Sequence, residues 1–284
     1  MKTIFTLSSA RSGTTFLSRI IQNNCTDCKA MHEPYFNPFN PNGFGKPIEH
    51  YCNGNITALR KMMKRKARYI RRIRADNYLE SNHAFLKSFG HVAMEFFSDM
   101  KLVHLIREPL SVAKSELNRE EWINQLRIPF RNYYDSQHKK QFRWTLCGKE
   151  PIFMEADCDK ITRLQFYFLQ WIEIENRAMQ FIKKYNKKKE IFTLHVPKEI
   201  NNPGILKQMF EFLELKTKGN NINLGVKKNQ TPGNPTIITD EDKAQFDQII
   251  KSLPAKYLDI FLYEPYYHYP WAKNLTRYLE YGTN

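Results

Sequence analysis

The sequence predicts an α/β protein of three layers, a central parallel sheet flanked by helices, and three observations predict it. A β-branched apolar run enters a small-residue loop and leaves it as an amphipathic helix in "TIFTLSSARSGTTFLSRII", residues 3 to 21. Strand-like runs recur in "KLVHLI" (101–106) and "EIFTLHV" (190–196). Helical periodicity fills the intervals, in "ITRLQFYFLQWIEIENRAMQFIKKY" and "GILKQMFEFLEL". Short apolar strands alternating with helices make a sheet covered on both faces, and ligands then collect beyond the carboxyl ends of the strands.

The first strand delivers the chain to "SSARSGTT". A glycine-centred turn between strand and helix aims backbone N–H groups and the positive end of the helix dipole at one point, and the natural occupant is a phosphate. A nucleoside-triphosphate loop is written G-x-x-x-x-G-K-[ST], with the lysine on the β and γ phosphates. Here Gly13 and Thr15 fit, but Ser8 stands at the first glycine, Thr14 stands at the lysine, and the charge has moved upstream to Arg11. The loop is P-loop-like, built for an anion but without the usual equipment for a triphosphate and its metal.

Next come two polar stretches with chemistry in them. "MHEPYFNPF" follows the first helix and carries Glu33; "YLESNHAFLKSF" carries His83 on what reads as a short extended segment. Between them "RKMMKRKARYIRRIR", residues 60 to 74, predicts a basic helix over about 57–75 with Met63, Ala67, Ile70 and Ile73 near one face. The plain reading is a solvated charged face whose long stems cover apolar surface. The alternative is a docking surface for an anionic partner.

After the strand "KLVHLI", the segment "REPLSVAKSELNR" places Arg107 at a strand end, Pro109 at a helix start and Ser115 about two helical turns on. A guanidinium fork with a nearby hydroxyl suits a phosphate monoester. A pairing of Arg107 with Glu108 would be the bland alternative. The stretch at about 127–160 has little periodicity yet carries Phe130, Tyr133, Tyr134, Phe142 and Trp144, which fits a lid or acceptor-pocket insertion. Downstream, "LGVKKNQTPGNPT" is a polar loop in which Lys228 is a weaker basic candidate.

Composition sets outer bounds. The 284 residues, 42% hydrophobic and 14% aromatic, support one packed domain over 1–284 with neither repeats nor a linker. No apolar run is long enough to span a bilayer and no signal peptide is read, so a cytoplasmic location is expected. The five cysteines read as reduced thiols, because no second Cys or His pair at zinc spacing follows Cys25 and Cys28. A net charge of +15 implies anionic partners without choosing among them.

Two motifs together carry a resemblance. "SSARSGTTFL" is similar to the 5′-phosphosulfate loop of sulfotransferases that use 3′-phosphoadenosine 5′-phosphosulfate (PAPS), with Arg where cytosolic members have Lys. "IREPLSVAKSEL" resembles their 3′-phosphate motif, and "LHVPKEINNPGILKQMFEFLEL" a strand and helix of bacterial members. The resemblance implies PAPS as donor, adenosine 3′,5′-bisphosphate (PAP) as product and no required metal. It implies that Arg11, Ser12, Gly13, Thr14 and Thr15 hold the 5′-phosphosulfate, that Arg107 and Ser115 hold the 3′-phosphate, and that Lys228 closes over the nucleotide. Arg11 would stabilise the leaving phosphate.

The base that takes the acceptor's proton would be His83, whose spacing resembles the His of a Lys-Thr-His motif although Ser81 and Asn82 replace its first two residues, or Glu33, placed like a catalytic Glu of tyrosylprotein and some carbohydrate sulfotransferases. His83 is put first, with the other as its orienting partner; His32 and Glu80 are lesser substitutes. The expected acceptor is a small molecule, such as a secondary metabolite or saccharide, bearing a hydroxyl or, second, an amine. No nucleic acid is expected. Three other readings stay open: a P-loop kinase or NTPase, a basic nucleic-acid-binding protein, and a sulfotransferase-like binder without catalysis.

Overall fold

Residues 2 to 8 send alternate side chains to opposite sides, and the alternation builds a sheet with two covered faces. The structure, a computed structural model, describes residues 1–34, 45–127, 131–156, 160–225 and 236–279. The sheet comprises β1 (Lys2–Ser8), β2 (Cys28–His32), β3 (Asn77–Ser81), β4 (Lys101–Arg107) and β7 (Ile191–Val196). Its order is β2-β3-β1-β4-β7, and every neighbouring pair is parallel.

Ile4, Leu79, Val103 and Leu105 face one way, toward α1 (Thr14–Asn24) and α8 (Pro203–Phe212), which bury Leu17, Ile20, Ile21, Leu206, Met209 and Phe210. Phe5, Leu7, Tyr78 and Leu102 face the other way, toward α3 (Ile56–Ile70) and α7 (Arg163–Lys184). Each such side chain contributes about 1.5–3 kcal/mol on burial, so truncating a fully enclosed one such as Leu17 to Ala should cost about 2–5 kcal/mol. The helix α7 starts on a capping box, Thr162 with Gln165, and its far side packs on α9 (Asp240–Lys251) and the C-terminal aromatic segment. Three short helices, α2 (Lys46–Cys52), α4 (Gly90–Ala93) and α10 (Pro270–Thr276), fill connections around these layers.

The strand β2 escaped the sequence reading, and β3 was read only as a short extended segment carrying His83, whereas it ends at Ser81. β2 ("CKAMH") and β3 ("NYLES") carry polar residues that look unsuited to a sheet interior. Their polarity is matched from outside. Glu80 of β3 meets the buried ammonium of Lys66 from α3, with one Nζ–Oε2 distance of 2.6 Å, and also accepts from Tyr78 Oη at 2.9 Å. The basic helix therefore ends earlier than the expected 57–75, at Ile70, and sends one of its cations into the core instead of to solvent.

The chain leaves β1 for β3 and β2 on one side and for β4 and β7 on the other. Such a reversal opens a crevice beyond the carboxyl ends of β1 and β4, the usual place for a ligand in an open α/β sheet. The expected insertion at 127–160 is partly regular: β5 (Asn132–Tyr134) and β6 (Lys140–Phe142) form an antiparallel hairpin, and α6 (Pro151–Glu155) follows. Phe130 lies outside the described residues. No described helix is long and apolar enough to cross a membrane.

Candidate functional site

The crevice holds a cavity of about 450 Å³ lined on one side by Arg11, Gly13, Thr14, Thr15 and Arg107 and on the other by His32, Glu33, His83 and Arg119. Its first wall is made by the β1–α1 turn. Gly13 caps α1 at φ 89°, a conformation glycine adopts freely, and no side chain occupies the helix N-terminus as a cap. The first N–H groups of an eleven-residue helix are thus left for an anion. Arg11 also sits at φ 62°, in the left-handed region that costs a residue with a Cβ about 1–2 kcal/mol.

What holds Arg11 there is the second motif. Arg107 donates from Nη1 to the Arg11 carbonyl at 2.8 Å, and Arg11 Nε donates to Ser115 Oγ at 2.9 Å. Ser115 is on α5 (Pro109–Gln125), which begins directly after β4 with proline in its first turn. Glu108, the bland partner suggested for Arg107, instead accepts from Ser111 at 2.6 Å. Two arginines 96 residues apart in the chain thereby become one wall.

The wall is electrostatically unfinished. Burial, then the guanidinium of Arg119, pushes Arg11 below its ordinary range; Arg107 adds to the push and Glu116 partly offsets it. Burial likewise lowers Arg107. Arg11, Arg107 and Arg119 line one cavity, Arg119 paired with Glu116 at 2.5 Å, and positive charge gathered in a cleft favours an anion there. The Ser12 hydroxyl lies 2.6 Å from that of Ser9, and Ser12 is fully buried and does not line the cavity. Ser115 is also buried and acts through Arg11. Lys228 lies outside the described residues.

The opposite wall is assembled from the tips of β2 and β3. His32 ends β2. Its Nδ1 lies 3.0 Å from the Ser81 carbonyl, which can only accept, so Nδ1 carries a proton there, and its Nε2 lies 2.9 Å from Thr15 Oγ1. Glu33 follows at φ 44°. Its Oε1 lies 3.3 Å from His83 Nε2 and 3.8 Å from His32 Nε2.

His83 is not on the extended segment expected for it. It occupies the turn after β3, where a π-helical turn (Phe85–Phe89) begins. Asn82 makes that turn: its N–H donates to Thr6 Oγ1 at 3.0 Å, its Nδ2 to Glu80 Oε1 at 2.9 Å, and its Oδ1 accepts from Ala84 N at 2.9 Å. Glu80 belongs to this support, paired with Lys66, and does not line the cavity.

The two acid–base candidates are in different environments. Burial, then Lys87 and Arg119, hold His83 well below the ordinary histidine range, so it is neutral. Its Nδ1 is buried with no hydrogen-bond partner among the described residues, and its Nε2 faces Glu33. Glu33 is 24% exposed. Burial raises its pKa, although His32, Arg119 and Lys87 pull it down. Behind both stands Lys87, fully buried, its Nζ donating to the Trp144 carbonyl at 2.6 Å and its pKa pushed down to about 8 by burial.

Arg119 and Lys87 escaped the sequence reading. Arg119 could have been found: it follows Ser115 by one helical turn in "KSELNR", on the same face of α5. Lys87 had no signal, because nothing in "HAFLKSF" tells that its lysine points inward. Among the described residues, the Tyr133, Tyr134, Phe142 and Trp144 expected in the insertion do not line the cavity, but Trp144 lies 6.0 Å from the Arg119 guanidinium.

No family profile matches the sequence, and no curated protein matches it. Among solved structures, the fold is similar to that of a sulfotransferase from Alicyclobacillus acidocaldarius, at TM-score 0.50 and 11% identity over 87% of this chain and 90% of that one. Two further neighbours are a sulfotransferase domain from the curacin biosynthetic pathway (TM-score 0.47, 14% identity, 98% of this chain and 97% of that one) and one from the Synechococcus PCC 7002 olefin synthase (0.44, 13%, 76% and 74%). At such identities the first likeness is one of fold.

Proposed function

We propose that the protein is a sulfotransferase that moves a sulfuryl group from PAPS to a hydroxyl of a small-molecule acceptor, such as a secondary metabolite or a saccharide. An amine is the second choice of acceptor. The observation that carries the reading is the junction of Arg107, Arg11 and Ser115, which joins a phosphate loop and a second arginine–serine phosphate motif at one cavity. Two separated anion sites on adjoining turns suit a nucleotide with phosphates at both ends of its ribose.

In the transfer, the bond between sulfur and the 5′-phosphate oxygen breaks while a bond from the acceptor oxygen to sulfur forms. Positioning and charge stabilisation carry most of such a reaction. The helix α1 N-terminus with Thr14 and Thr15 grips the 5′ end, Arg107 the 3′-phosphate, and Arg11 stabilises charge on the departing phosphate. Arg119, which lines the same cavity and pairs with Glu116 at 2.5 Å, adds positive charge near the transferred group.

The acceptor proton goes to Glu33. His83 has one nitrogen sealed in the core and the other turned to the carboxylate, so it orients Glu33 instead of meeting the acceptor. Both line the cavity, but the Glu33 side chain is the more exposed, 24% against 4% for His83, and its raised pKa improves it as a base.

Calorimetric titration with PAP, beside ATP with magnesium and repeated on Arg107→Ala, tests the reading. PAP should bind and the variant should lose about 10–100-fold in affinity, the worth of a charge-assisted pair. Binding of ATP with magnesium in preference to PAP would overturn it.

A further inference from the structure

The exposed side of α3 has no part in the cavity, and its chemistry is unusually uniform. Lys61, Arg65, Arg68 and Arg72 recur at spacings of four, three and four residues and form one stripe that runs just past the end of the helix. Lys64 and Arg71 flank it, and all six side chains are exposed. The opposite side buries Leu59, Met63, Lys66 and Ile70 against the sheet. Among the described residues, the basic groups of this segment that do find a carboxylate are Arg60, with Glu95 at 3.0 Å, and the inward-facing Lys66. The six cations of the stripe and its flanks have no such carboxylate among those residues.

We propose that this face of α3 docks on the anionic headgroup plane of a membrane. The stripe from Lys61 to Arg72 is about 16 Å long at about 1.5 Å per residue and is set on the outside of the domain. No acidic residue lies between residues 60 and 74 to offset its positive charge, which suits an extended plane of anionic headgroups. At the C-terminal end of the helix lies a groove of about 540 Å³ lined by Lys2, Arg71 and the half-buried Phe96 together with Ser98 and Asp99, with Ile70 and Phe97 buried beneath. A nucleic-acid backbone would meet the same charge on the stripe, and competition by RNA separates the two.

Membrane docking is independent of the transfer reaction and is tested without it. Flotation would use phosphatidylcholine vesicles with and without phosphatidylserine at about 0.15 M salt, where surface charges more than about 8 Å apart are screened. The protein should float with the anionic vesicles and not with the neutral ones. Each basic side chain near such a surface is worth about a fivefold change in partitioning, so Lys61→Gln or Arg68→Gln alone should cost about fivefold. The combination of Lys61→Gln, Arg65→Gln, Arg68→Gln and Arg72→Gln should cost roughly several hundredfold.

The control removes the same net charge elsewhere, at the exposed Lys183, Lys184, Lys188 and Lys189, also to Gln. That variant should keep most of its binding. Equal loss in the two combined variants would reduce the effect to net charge and overturn the proposal. Equal flotation with neutral vesicles would also overturn it, as would capture by single-stranded RNA that anionic vesicles cannot displace.

Discussion

The two walls of the cavity are built on different plans. The Arg11 wall is made by backbone turns at the ends of β1 and β4, tied together by two hydrogen bonds within it. The Glu33 wall is made by side chains arriving from the ends of β2 and β3 and from α5, with His32 held at Nδ1 by the Ser81 carbonyl and Arg119 paired with Glu116. The first is local and repeats a motif; the second is a consequence of tertiary packing. Binding should therefore depend on the first wall and chemistry on the second, and variants can break that division.

Glu33→Gln should have the largest effect. It keeps the shape and removes the base, so single-turnover transfer should fall by about 10²–10⁴ while PAP affinity stays within a few-fold. Arg11→Ala comes next. Losing a donor to developing charge should lower transfer by about 10²–10³, and PAP binding should weaken as well, because the residue belongs to the binding wall. Equal losses of nucleotide affinity in the two variants would erase the distinction between the walls.

Thr15→Val should be smaller, because it cuts a hydroxyl contact between the walls, Thr15 Oγ1 to His32 Nε2. A hydrogen bond of this kind is worth about 0.5–1.5 kcal/mol, so a loss of up to about tenfold in transfer is expected, with a similar loss of PAP affinity because Thr15 also belongs to the wall proposed to grip the 5′ end. A loss as large as that of Arg11→Ala would mean that His32 itself handles the proton.

The same contrast explains what the sequence told and what it withheld. The turns in "SSARSGTT" and "IREPLSVAKS" were legible because a glycine between strand and helix, and a proline at a helix start, show in the local sequence. The apolar strands β1, β4 and β7 and the long periods of α7 and α8 were legible for the same local reason. "CKAMH" was not, and "NYLES" only as part of an extended segment, since their strand character depends on partners far away: Asn77 donates to Asp27 at 2.9 Å and Glu80 waits for Lys66. His83 was recognised as important but misplaced, because the backbone and side-chain contacts of Asn82 turn the chain immediately before it. Lys66 and Lys87 look like surface lysines until α3 and the π-helical turn bring them inside.

The smallest expected effect concerns stability and isolates Glu33 from the reaction. Burial raises its pKa in the folded protein above the unfolded value, against the opposing pull of His32, Arg119 and Lys87. A carboxyl with a raised folded pKa favours the native state fully at pH below its unfolded value and loses that contribution as pH climbs through the folded value. The native protein is then least helped by Glu33 at neutral pH, where ionising it inside the cavity costs free energy. Glu33→Gln should consequently melt with the native protein at about pH 4 and above it by about a degree or more at about pH 7.5, in parallel thermal scans. A variant that melts lower at neutral pH would mean that the cations outweigh burial, and that Glu33 is held as a structural counterion to Arg119 and Lys87 instead of being kept ready to take a proton.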